Sequence, residues 1–377
     1  MIYHSFRGKR LSSLGMGCMR LPVSNGDLSK VDRDALREMV AYAIGKGVNY
    51  FDTAWPYHGG DSESALGEVL GDYPRDSFFL ASKFPGFDKS NMPKVKEIFE
   101  TQLKKCRVDF FDFYLFHNVC ETNIDDYLDP RYGIMDYLFE QKKQGRIGHL
   151  GFSTHGSVET VTRFLDAYGD KLEFCQIQLN WLDYHMQNAK EKLALLKERN
   201  IPVWVMEPLR GGKLVSLDPT YEAELKALRP EAKTSEWAFR FLETIPEVTV
   251  TLSGMNNIEQ LKENVAVFEK EKPLTEEEKE ALFGVARKMV ASKTLPCTAC
   301  RYCTDHCPMG LDIPKLIGLY NDHVYSGGGF LAPMAVNAMP EEKRPSACLG
   351  CRACEAVCPQ KIRISEMMSD FAEKLKK

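Results

Sequence analysis

The stretch from Asp32 to Phe51, DRDALREMVAYAIGKGVNYF, contains a complete helix and the beginning of a strand. Its apolar side chains recur three or four residues apart, which is the spacing of one buried helix face. Asp32 is a suitable N-cap, and Gly47 ends the helix where the apolar run Val48–Phe51 begins. The stretch therefore predicts one helix–strand unit. The side chains of its buried face are Leu36, Met39, Val40, Ala43 and Ile44.

This unit recurs along the first 270 residues, where eight short apolar runs alternate with amphipathic stretches. Eight strand–helix units over about 250–270 residues favour a (β/α)8 TIM barrel. The alternative is a doubly wound open sheet, whose first strand is expected to precede a GxGxxG turn. Residues 15–20 read GMGCMR and fit that turn poorly. The eight runs are Leu14–Met19, Val48–Phe51, Phe78–Ser82, Phe110–Phe116, Ile147–Phe152, Phe174–Leu179, Ile201–Met206 and Val248–Leu252.

The composition is that of an ordinary soluble globular protein. Of the 377 residues, 44% are hydrophobic and 27% are charged, and the net charge is -4. A chain without a basic excess is not expected to bind nucleic acid. No apolar stretch approaches the ~20 residues of a membrane span, and the first residues lack the apolar core of a secretory signal. We therefore expect a cytoplasmic protein with neither nucleic acid nor membrane as a partner.

The cysteines are unevenly distributed, because eight of the twelve lie between Cys297 and Cys358. They form two runs of identical spacing, Cys-x2-Cys-x2-Cys-x3-Cys-Pro. The charged segment before them carries Thr275 and Glu278 at the spacing of a capping box, for a helix that runs to about Ala291. The sequence thus predicts a barrel over residues 1–270, a helical linker over 271–296 and a cysteine-rich domain over 297–377.

The spacing of the cysteine runs favours iron–sulfur clusters over zinc. Three thiolates in one run can surround one cubane cluster, whereas zinc ribbons usually supply paired CxxC knuckles. Each run resembles those of the bacterial two-cluster ferredoxins, in which the fourth cysteine ligates the other cluster. The resemblance implies a small ferredoxin-like domain with two [4Fe-4S] clusters. Their ligands would be Cys297, Cys300, Cys303 and Cys358 for one cluster, and Cys307, Cys348, Cys351 and Cys354 for the other.

In a barrel of this kind the chemistry is found at the carboxyl ends of the strands. There the sequence places Asp52 and Tyr57 after the second strand, Lys83 after the third and His117 after the fourth. Each residue alone could be structural, as a loop cap, a rim aromatic or a buried histidine. Together these four positions resemble the catalytic tetrad of the aldo-keto reductases, and the resemblance extends over about Leu14–Asn264.

The chemistry of carbonyl reduction explains these residue types. Hydride addition leaves an alkoxide that must be protonated, and the resemblance makes Tyr57 the general acid in reduction and the base in oxidation. The ordinary pKa of tyrosine is about 10. We expect the ammonium of Lys83 to lower the pKa of Tyr57, and Asp52 to keep that lysine charged. His117 is expected to orient and polarise the carbonyl oxygen.

The same resemblance implies a nicotinamide dinucleotide, NAD(P)H, bound across the mouth of the barrel. Several residues differ from the family pattern. Thr154 stands where the family usually has an asparagine, and Met206 stands where the family has an aromatic residue that stacks on the nicotinamide. Gly254 and Gln260 are uncharged where basic residues bind the 2′-phosphate of NADP, so a preference for NADP is not supported. FMN is an alternative cofactor, because a flavin can link two-electron hydride transfer to the one-electron steps of the clusters. Trp55, His58 and Trp181 are expected to line the substrate pocket. The positions implied for the cofactor are Ser153, Gln176, Met206, Leu209, Gly211, Gly212, Ser253, Gly254, Met255, Gln260, Glu263 and Asn264.

These features predict an oxidoreductase that interconverts a small-molecule carbonyl and an alcohol, with two [4Fe-4S] clusters passing single electrons to or from the barrel site. A redox partner protein is a further expectation. Two alternatives remain open at this point. One is a nucleotide-binding redox sensor without turnover, and the other is a plain NAD(P)H-dependent reductase whose clusters are structural.

Overall fold

The computed structural model describes residues 1–291 and 293–376. Ser292, in the predicted linker, and Lys377, at the end of the predicted cysteine-rich domain, lie outside the described residues. The chain forms two compact units, Met1–Leu282 and Phe283–Lys377. The boundary between them falls inside the helix Glu276–Ala291, which the sequence assigned to the linker.

The first unit is a closed barrel of eight parallel strands, each paired with the next in chain order and the last with the first. All eight predicted runs form strands of this barrel, so the predicted fold is confirmed. The barrel strands are β3 (Leu14–Gly17), β4 (Tyr50–Asp52), β5 (Phe79–Phe84), β6 (Phe111–Val119), β7 (Ile147–Thr154), β8 (Cys175–Gln178), β9 (Val203–Met206) and β10 (Val248–Gly254).

Helices cover the outside of the barrel and connect its strands. The helix predicted from the opening stretch runs from Arg33 to Gly45, and the side chain of Asp32 accepts a hydrogen bond from the backbone N–H of Ala35 at 3.0 Å. The helices of this unit are α1 (Arg33–Gly45), α2 (Asp61–Leu70), α3 (Val95–Cys106), α4 (Ile124–Leu128), α5 (Ile134–Lys143), α6 (Val158–Tyr168), α7 (Asp183–Met186), α8 (Ala189–Glu198), α9 (Pro219–Lys226), α10 (Thr234–Leu242) and α11 (Ile258–Val267).

An N-terminal hairpin closes the end of the barrel opposite the predicted site, and the sequence analysis did not predict it. Strands β1 (Tyr3–Phe6) and β2 (Lys9–Ser12) pair antiparallel. Phe6 packs into the barrel core, 5.0 Å from the Trp204 ring, which in turn lies 4.6 Å from the ring of Phe174. The hairpin therefore excludes water from one end of the core.

The predicted capping box is present at helix α12 (Glu276–Ala291). The N–H of Thr275 donates to the carboxylate of Glu278 at 2.8 Å, and the N–H of Glu278 donates to the hydroxyl of Thr275 at 3.2 Å. Among the described residues, every helix is too short or too polar to cross a membrane.

The second unit is small and helical. Helices α13 (Ile313–Ser326) and α16 (Ile364–Lys374) form most of its core. The ring of Tyr320 on α13 lies 5.6 Å from that of Phe371 on α16, and the hydroxyl of Tyr320 donates to Asp370 at 2.7 Å. The cysteine runs occupy the loops that precede these two helices. The helices of this unit are α13 (Ile313–Ser326), α14 (Leu331–Asn337), α15 (Ala353–Ala356) and α16 (Ile364–Lys374).

Candidate active site and cluster sites

Three of the four predicted catalytic side chains meet at the carboxyl ends of β4 and β5. The ammonium of Lys83 lies 2.5 Å from Oδ1 of Asp52, and both side chains are almost completely buried. Lys83 also donates to the carbonyl oxygen of Thr53 at 2.7 Å, and its Nζ lies 3.4 Å from the hydroxyl of Tyr57. The lysine is therefore held between a carboxylate and a phenol.

Burial determines the charge states of this group. Burial opposes the charge on Lys83, but Asp52 and Tyr57 outweigh it and raise the pKa of Lys83 above its ordinary value. Burial also raises the pKa of Tyr57, and the ammonium of Lys83 offsets only part of that rise. The ammonium of Lys83 thus lowers the pKa of Tyr57 as expected, but desolvation of the phenolate is the larger effect and the net pKa lies above the ordinary value. Tyr57 is therefore protonated at neutral pH.

The fourth residue, His117, faces the tyrosine. Its ring centroid lies 6.1 Å from that of Tyr57 and 5.3 Å from that of Phe87, both in edge-to-face geometry. Burial lowers the pKa of His117 well below its ordinary value, and the charge of Lys83 acts in the same direction. Its Nδ1 is buried and has no hydrogen-bond partner among the described residues. A neutral imidazole is thus available beside the phenol.

A buried polar network behind Lys83 was missed by the sequence analysis. The carboxylate of Glu63, on α2, accepts hydrogen bonds of 2.7 Å from both Ser82 and Gln102, and lies 3.1 Å from the ammonium of Lys105. Gln102 also donates to the backbone oxygen of Lys83 at 3.0 Å. The network fixes the strand that carries Lys83. No sequence signal identifies it, because the burial of Glu63 arises only from packing in the fold.

Ser153 and Gln176, which were assigned to the nicotinamide carboxamide, are register partners on β7 and β8. Both are buried. Ser153 Oγ accepts a hydrogen bond from the N–H of Asn118 at 2.9 Å, whereas Oε1 of Gln176 has no partner among the described residues. A buried amide oxygen without a partner is costly, and a bound carboxamide would satisfy it. Thr154 serves the chain itself, because its hydroxyl donates to the backbone oxygen of Val119 at 2.6 Å.

The loop after β9 contains the predicted phosphate-binding turn and a cation that the sequence analysis missed. Met206 ends the strand half-buried, and Leu209 leads into Gly211 and Gly212, whose φ values of 65° and 89° favour glycine. A Cβ on Gly211 would lie 3.3 Å from Nη2 of Arg20, which also pairs with Glu207 at 3.6 Å. Arg20 is distant in sequence, and no local pattern places it here.

Arg20 also explains one departure from the family pattern. A Cβ on Gly254 would lie 3.3 Å from the aliphatic stem of Arg20. The glycine therefore leaves room for the side chain of Arg20, which follows the neighbouring strand β3, where Gly17 is the register partner of Gly254.

The remaining predicted cofactor residues gather at the end of β10 and on α11. Asn264 donates to the hydroxyl of Ser253 at 3.0 Å, and Glu263 pairs with Lys233 at 2.5 Å on the surface. The strand end and the helix are therefore tied together where the adenosine is expected. The residues of this group are Ser253, Gly254, Met255, Gln260, Glu263 and Asn264.

Of the three aromatic residues expected in the substrate pocket, one, His58, uses both ring nitrogens in contacts with a neighbouring loop. Nε2 of His58 accepts a hydrogen bond from the N–H of Leu21 at 3.0 Å, and Nδ1 lies 2.8 Å from the carbonyl oxygen of Leu28. Because both ring nitrogens are used, His58 holds the loop after β3. Trp181 has no exposed surface. Trp55 is half-buried, and the ammonium of Lys105 lies 4.8 Å from its ring centroid.

The eight clustered cysteines line two separate cavities in the second unit. Their volumes are about 310 Å³ and about 350 Å³, which include the part of each cavity that is open to solvent. In each cavity the fourth cysteine comes from the opposite run, which is the exchange implied by the ferredoxin resemblance. All eight are free thiols, so each cavity offers four sulfur donors. This donor set fits a [4Fe-4S] cluster. The cavities are lined by Cys297, Cys300, Cys303 and Cys358, and by Cys307, Cys348, Cys351 and Cys354.

Comparison with known proteins agrees with this geometry. The family model described as "Aldo/keto reductase family" matches residues 13–286. The chain belongs to the aldo/keto reductase family. A second family model, described as "4Fe-4S dicluster domain", matches residues 296–362, so this aldo/keto reductase carries an iron–sulfur domain after its barrel.

Relatives of this aldo/keto reductase are distant in sequence. It is 28% identical over 233 residues to "Probable aldo-keto reductase 1" of Glycine max, across 59% of this chain and 64% of that protein, less than two thirds of its length. It is 26% identical to "Uncharacterized oxidoreductase YqkF" of Bacillus subtilis, across 72% and 92% of the two chains. It is 25% identical to "NADH-specific methylglyoxal reductase" of Escherichia coli, across 68% and 90%.

Solved structures share the fold. The holo form of aldo-keto reductase AKR11C1 from Bacillus halodurans superimposes with a TM-score of 0.62 at 25% identity, over 76% of this chain and 96% of that one. An aldo-keto reductase from Klebsiella pneumoniae in complex with NADPH gives a TM-score of 0.59 at 17% identity, over 76% and 96%. The chain is thus an aldo-keto-reductase-type oxidoreductase.

Proposed function

We propose that the barrel interconverts a small carbonyl compound and its alcohol, with Tyr57 as the general acid and base. The observation that carries this proposal is the position of the Lys83 ammonium, 2.5 Å from Asp52 and 3.4 Å from the Tyr57 hydroxyl. An ion pair with only a structural role has no need of a phenol beside it. Proton transfer to an alkoxide, in contrast, requires a positioned acid such as the phenol of Tyr57.

The residues divide the work as follows. Tyr57 hydrogen-bonds the carbonyl oxygen and donates its proton as negative charge develops there. Lys83 stabilises the phenolate that remains, and Asp52 holds the lysine in its charged form. The neutral imidazole of His117 supplies a second hydrogen bond that orients the same oxygen. In the oxidation direction the deprotonated Tyr57 accepts the hydroxyl proton.

A nicotinamide dinucleotide is the cofactor that these residues fit best, and when bound it supplies or accepts the hydride. The free buried oxygen of Gln176 and its register partner Ser153 suit a carboxamide. Gly211, Gly212 and the adjacent Arg20 suit the pyrophosphate, because open glycine backbone and a cation both favour anions. The relative of Escherichia coli whose name specifies NADH supports the same class of cofactor.

The test is turnover of the anaerobically purified protein with a panel of aldehydes and ketones, each with NADH and with NADPH. Consumption of nicotinamide that matches alcohol formation supports the proposal. Binding of nucleotide without any turnover would instead identify a redox sensor. The eight free thiols of the cluster sites suit a reducing cytoplasm.

For the second unit we propose electron transfer. The eight cysteines would hold two [4Fe-4S] clusters, which accept or release one electron each. A hydride carries two electrons, whereas a cluster passes one at a time. Coupling of the clusters to a nicotinamide therefore requires a group that supports both two-electron and one-electron transfer, and a flavin such as FMN is one. The half-buried Met206, in place of a stacking aromatic ring, is the observation that favours this second cofactor.

Release of bound cofactors by denaturation, followed by fluorescence and mass analysis, tests this part of the proposal. A bound flavin, or clusters that become reduced when NADH is added, would support coupling. Nicotinamide alone, with clusters that stay oxidised during turnover, would make the clusters structural and leave the barrel a plain reductase.

A further inference from the structure

The loop that carries the second cysteine run presents one of its candidate cluster ligands at the surface. Residues 349–353 are all exposed, and Cys351 lies in their middle. Leu349 is 68% exposed, which is unusual for a large apolar side chain. It also lines the cavity of Cys307, Cys348, Cys351 and Cys354. An apolar side chain thus stands in solvent directly beside a candidate redox centre.

Exposed cations lie on the same loop and on the segment that follows it. Arg352 is exposed and lines the same cavity, and Lys361 and Arg363 are exposed on the segment that leads into α16. The two segments are joined, because Glu355 accepts hydrogen bonds from the N–H and the hydroxyl of Ser365 at 2.8 Å and 2.5 Å. Within 348–363 there are three cations and one carboxylate, Glu355, and Arg363 also lies 3.4 Å from the carboxylate of Glu366.

The first cysteine run provides an internal comparison. Arg301 follows exposed Cys300 as Arg352 follows exposed Cys351, and both arginines have a positive φ, 65° and 59°. However, Arg301 lies 3.3 Å from the carboxylate of Asp312, and Asp305 is also exposed. One cation thus accompanies two carboxylates over 297–312. Arg363 is ion-paired in the same way as Arg301, but over these two matched stretches the second run has two more cations than carboxylates and the first has one fewer.

We propose that Leu349, Cys351, Arg352, Lys361 and Arg363, here called the second-run surface, dock a small acidic protein that carries one electron at a time. The proposal rests on the electron transfer proposed above. Electron-transfer complexes are small and transient, and opposite charge raises their association rate by tenfold or more. A small apolar centre with a cationic rim meets these requirements. One electron passes between the adjacent cluster and the carrier, so that one is oxidised as the other is reduced and no bond forms or breaks.

The experiment uses the full-length holoprotein, reduced with dithionite under anaerobic conditions, and an acidic flavodoxin as the probe. Stopped-flow absorbance gives the second-order rate constant of flavodoxin reduction, and titration with oxidised flavodoxin gives a dissociation constant without electron transfer. Excess dithionite is removed by gel filtration before mixing, so that reduction of the dicationic dye benzyl viologen reports the clusters alone. Iron content and visible absorbance show which variants retain both clusters.

We expect Arg352→Glu and Arg363→Glu each to lower the rate constant by about tenfold and to weaken binding, whereas Arg301→Glu changes both by less than about twofold. The wild-type rate should fall as salt rises. Arg363→Glu lies away from the ligating cysteines, and it keeps the test valid if Arg352→Glu loses iron. Leu349→Ser should weaken binding at all salt concentrations.

Equal effects of Arg301→Glu and Arg363→Glu, or a rate that is indifferent to salt, would overturn the docking proposal while viologen reduction proceeds normally. Failure of the wild type to reduce viologen would overturn the electron-transfer function itself, and the docking proposal with it.

Discussion

Lys83 and Asp52 form an ion pair of 2.5 Å whose side chains are 1% and 3% exposed. Charges so deeply buried are expensive to desolvate, and such a pair is retained for a reason other than stability alone. The remaining donors of the ammonium are directed at the carbonyl oxygen of Thr53 and at Tyr57. The ion pair therefore holds the positive charge of Lys83 beside the phenol of Tyr57.

Replacement of Tyr57 by phenylalanine should lower kcat for carbonyl reduction by about 10²- to 10⁴-fold, because the hydroxyl supplies its proton only as the alkoxide forms. The dissociation constant of the nucleotide should stay within about twofold of wild type, since the hydroxyl is not a cofactor contact. Steady-state kinetics and fluorescence titration measure the two quantities. Tyr42→Phe, on α1, is the matched control. Wild-type turnover in Tyr57→Phe would show that another group donates the proton.

Replacement of Lys83 by methionine should shift the pH profile of alcohol oxidation to higher pH. The ammonium lowers the pKa of Tyr57 against the effect of burial, so its loss raises that pKa further and leaves less phenolate at any given pH. The variant also leaves Asp52 as an uncompensated buried charge, at a cost of about 3–5 kcal/mol. The double variant with Asp52→Asn should recover part of this stability but not the pH profile. A profile unchanged in Lys83→Met would remove the lysine from the mechanism.

A partly buried charge cluster around Glu173 should make the stability of the barrel sensitive to acid. Glu173 lies 2.6 Å from Lys142, 3.1 Å from Arg7 and 3.2 Å from His149. Burial opposes its ionisation, but hydrogen bonds from His149 and Lys142 lower the pKa of Glu173 to about 2. A lowered pKa stabilises the fold above the unfolded value of about 4.5, and that stabilisation is lost as the pH falls through about 2.

The stabilisation by Glu173 amounts to about 1–3 kcal/mol at neutral pH, because solvent screens its partly exposed partners. Glu173→Gln should therefore lower the free energy of unfolding near pH 7, and the difference from wild type should shrink below about pH 4. Urea denaturation, monitored by tryptophan fluorescence, measures the free energy of unfolding of both proteins. Glu140→Gln, an exposed partner of Lys143, should change stability by less than about 0.5 kcal/mol. Equal losses of unfolding free energy in Glu173→Gln and Glu140→Gln would contradict the stabilising role of Glu173.

The sequence predicted the barrel because its signal is repeated eight times, and a single error in a strand boundary does not change the topology. The proximity of Asp52, Tyr57, Lys83 and His117 was predictable because strand ends converge in this architecture. Residues whose roles depend on distant neighbours were not predictable. Arg20 and Glu63 reach the site only through packing, and the hairpin with Phe6 has two strands of four residues with little pattern. The lowering of the Tyr57 pKa by Lys83 was predictable, but the larger opposing effect of burial cannot be read from a motif.

The last prediction concerns the exchange of ligands between the two cysteine runs. Cys307 belongs to the first run, but it lines the cavity of Cys348, Cys351 and Cys354. Its Sγ accepts a hydrogen bond from the N–H of Leu311 at 3.4 Å, and Sγ of Cys348 accepts one from Gly350 at 3.5 Å. Cys307→Ser should therefore release the cluster of the second run. Iron content should fall from about eight to about four per chain.

Alkylation of the anaerobic protein followed by peptide mass analysis identifies which thiols have lost their cluster. In Cys307→Ser the three partners in the second run should become labelled, while Cys297, Cys300 and Cys303 stay protected. Cys358→Ser is the matched variant and should give the reverse pattern, because Cys358 lines the other cavity. Labelling of Cys297, Cys300 and Cys303 in Cys307→Ser would mean that each run holds its own cluster. The exchange matters for stability, because each cluster then ties both runs together and the loss of one ligand loosens the whole unit.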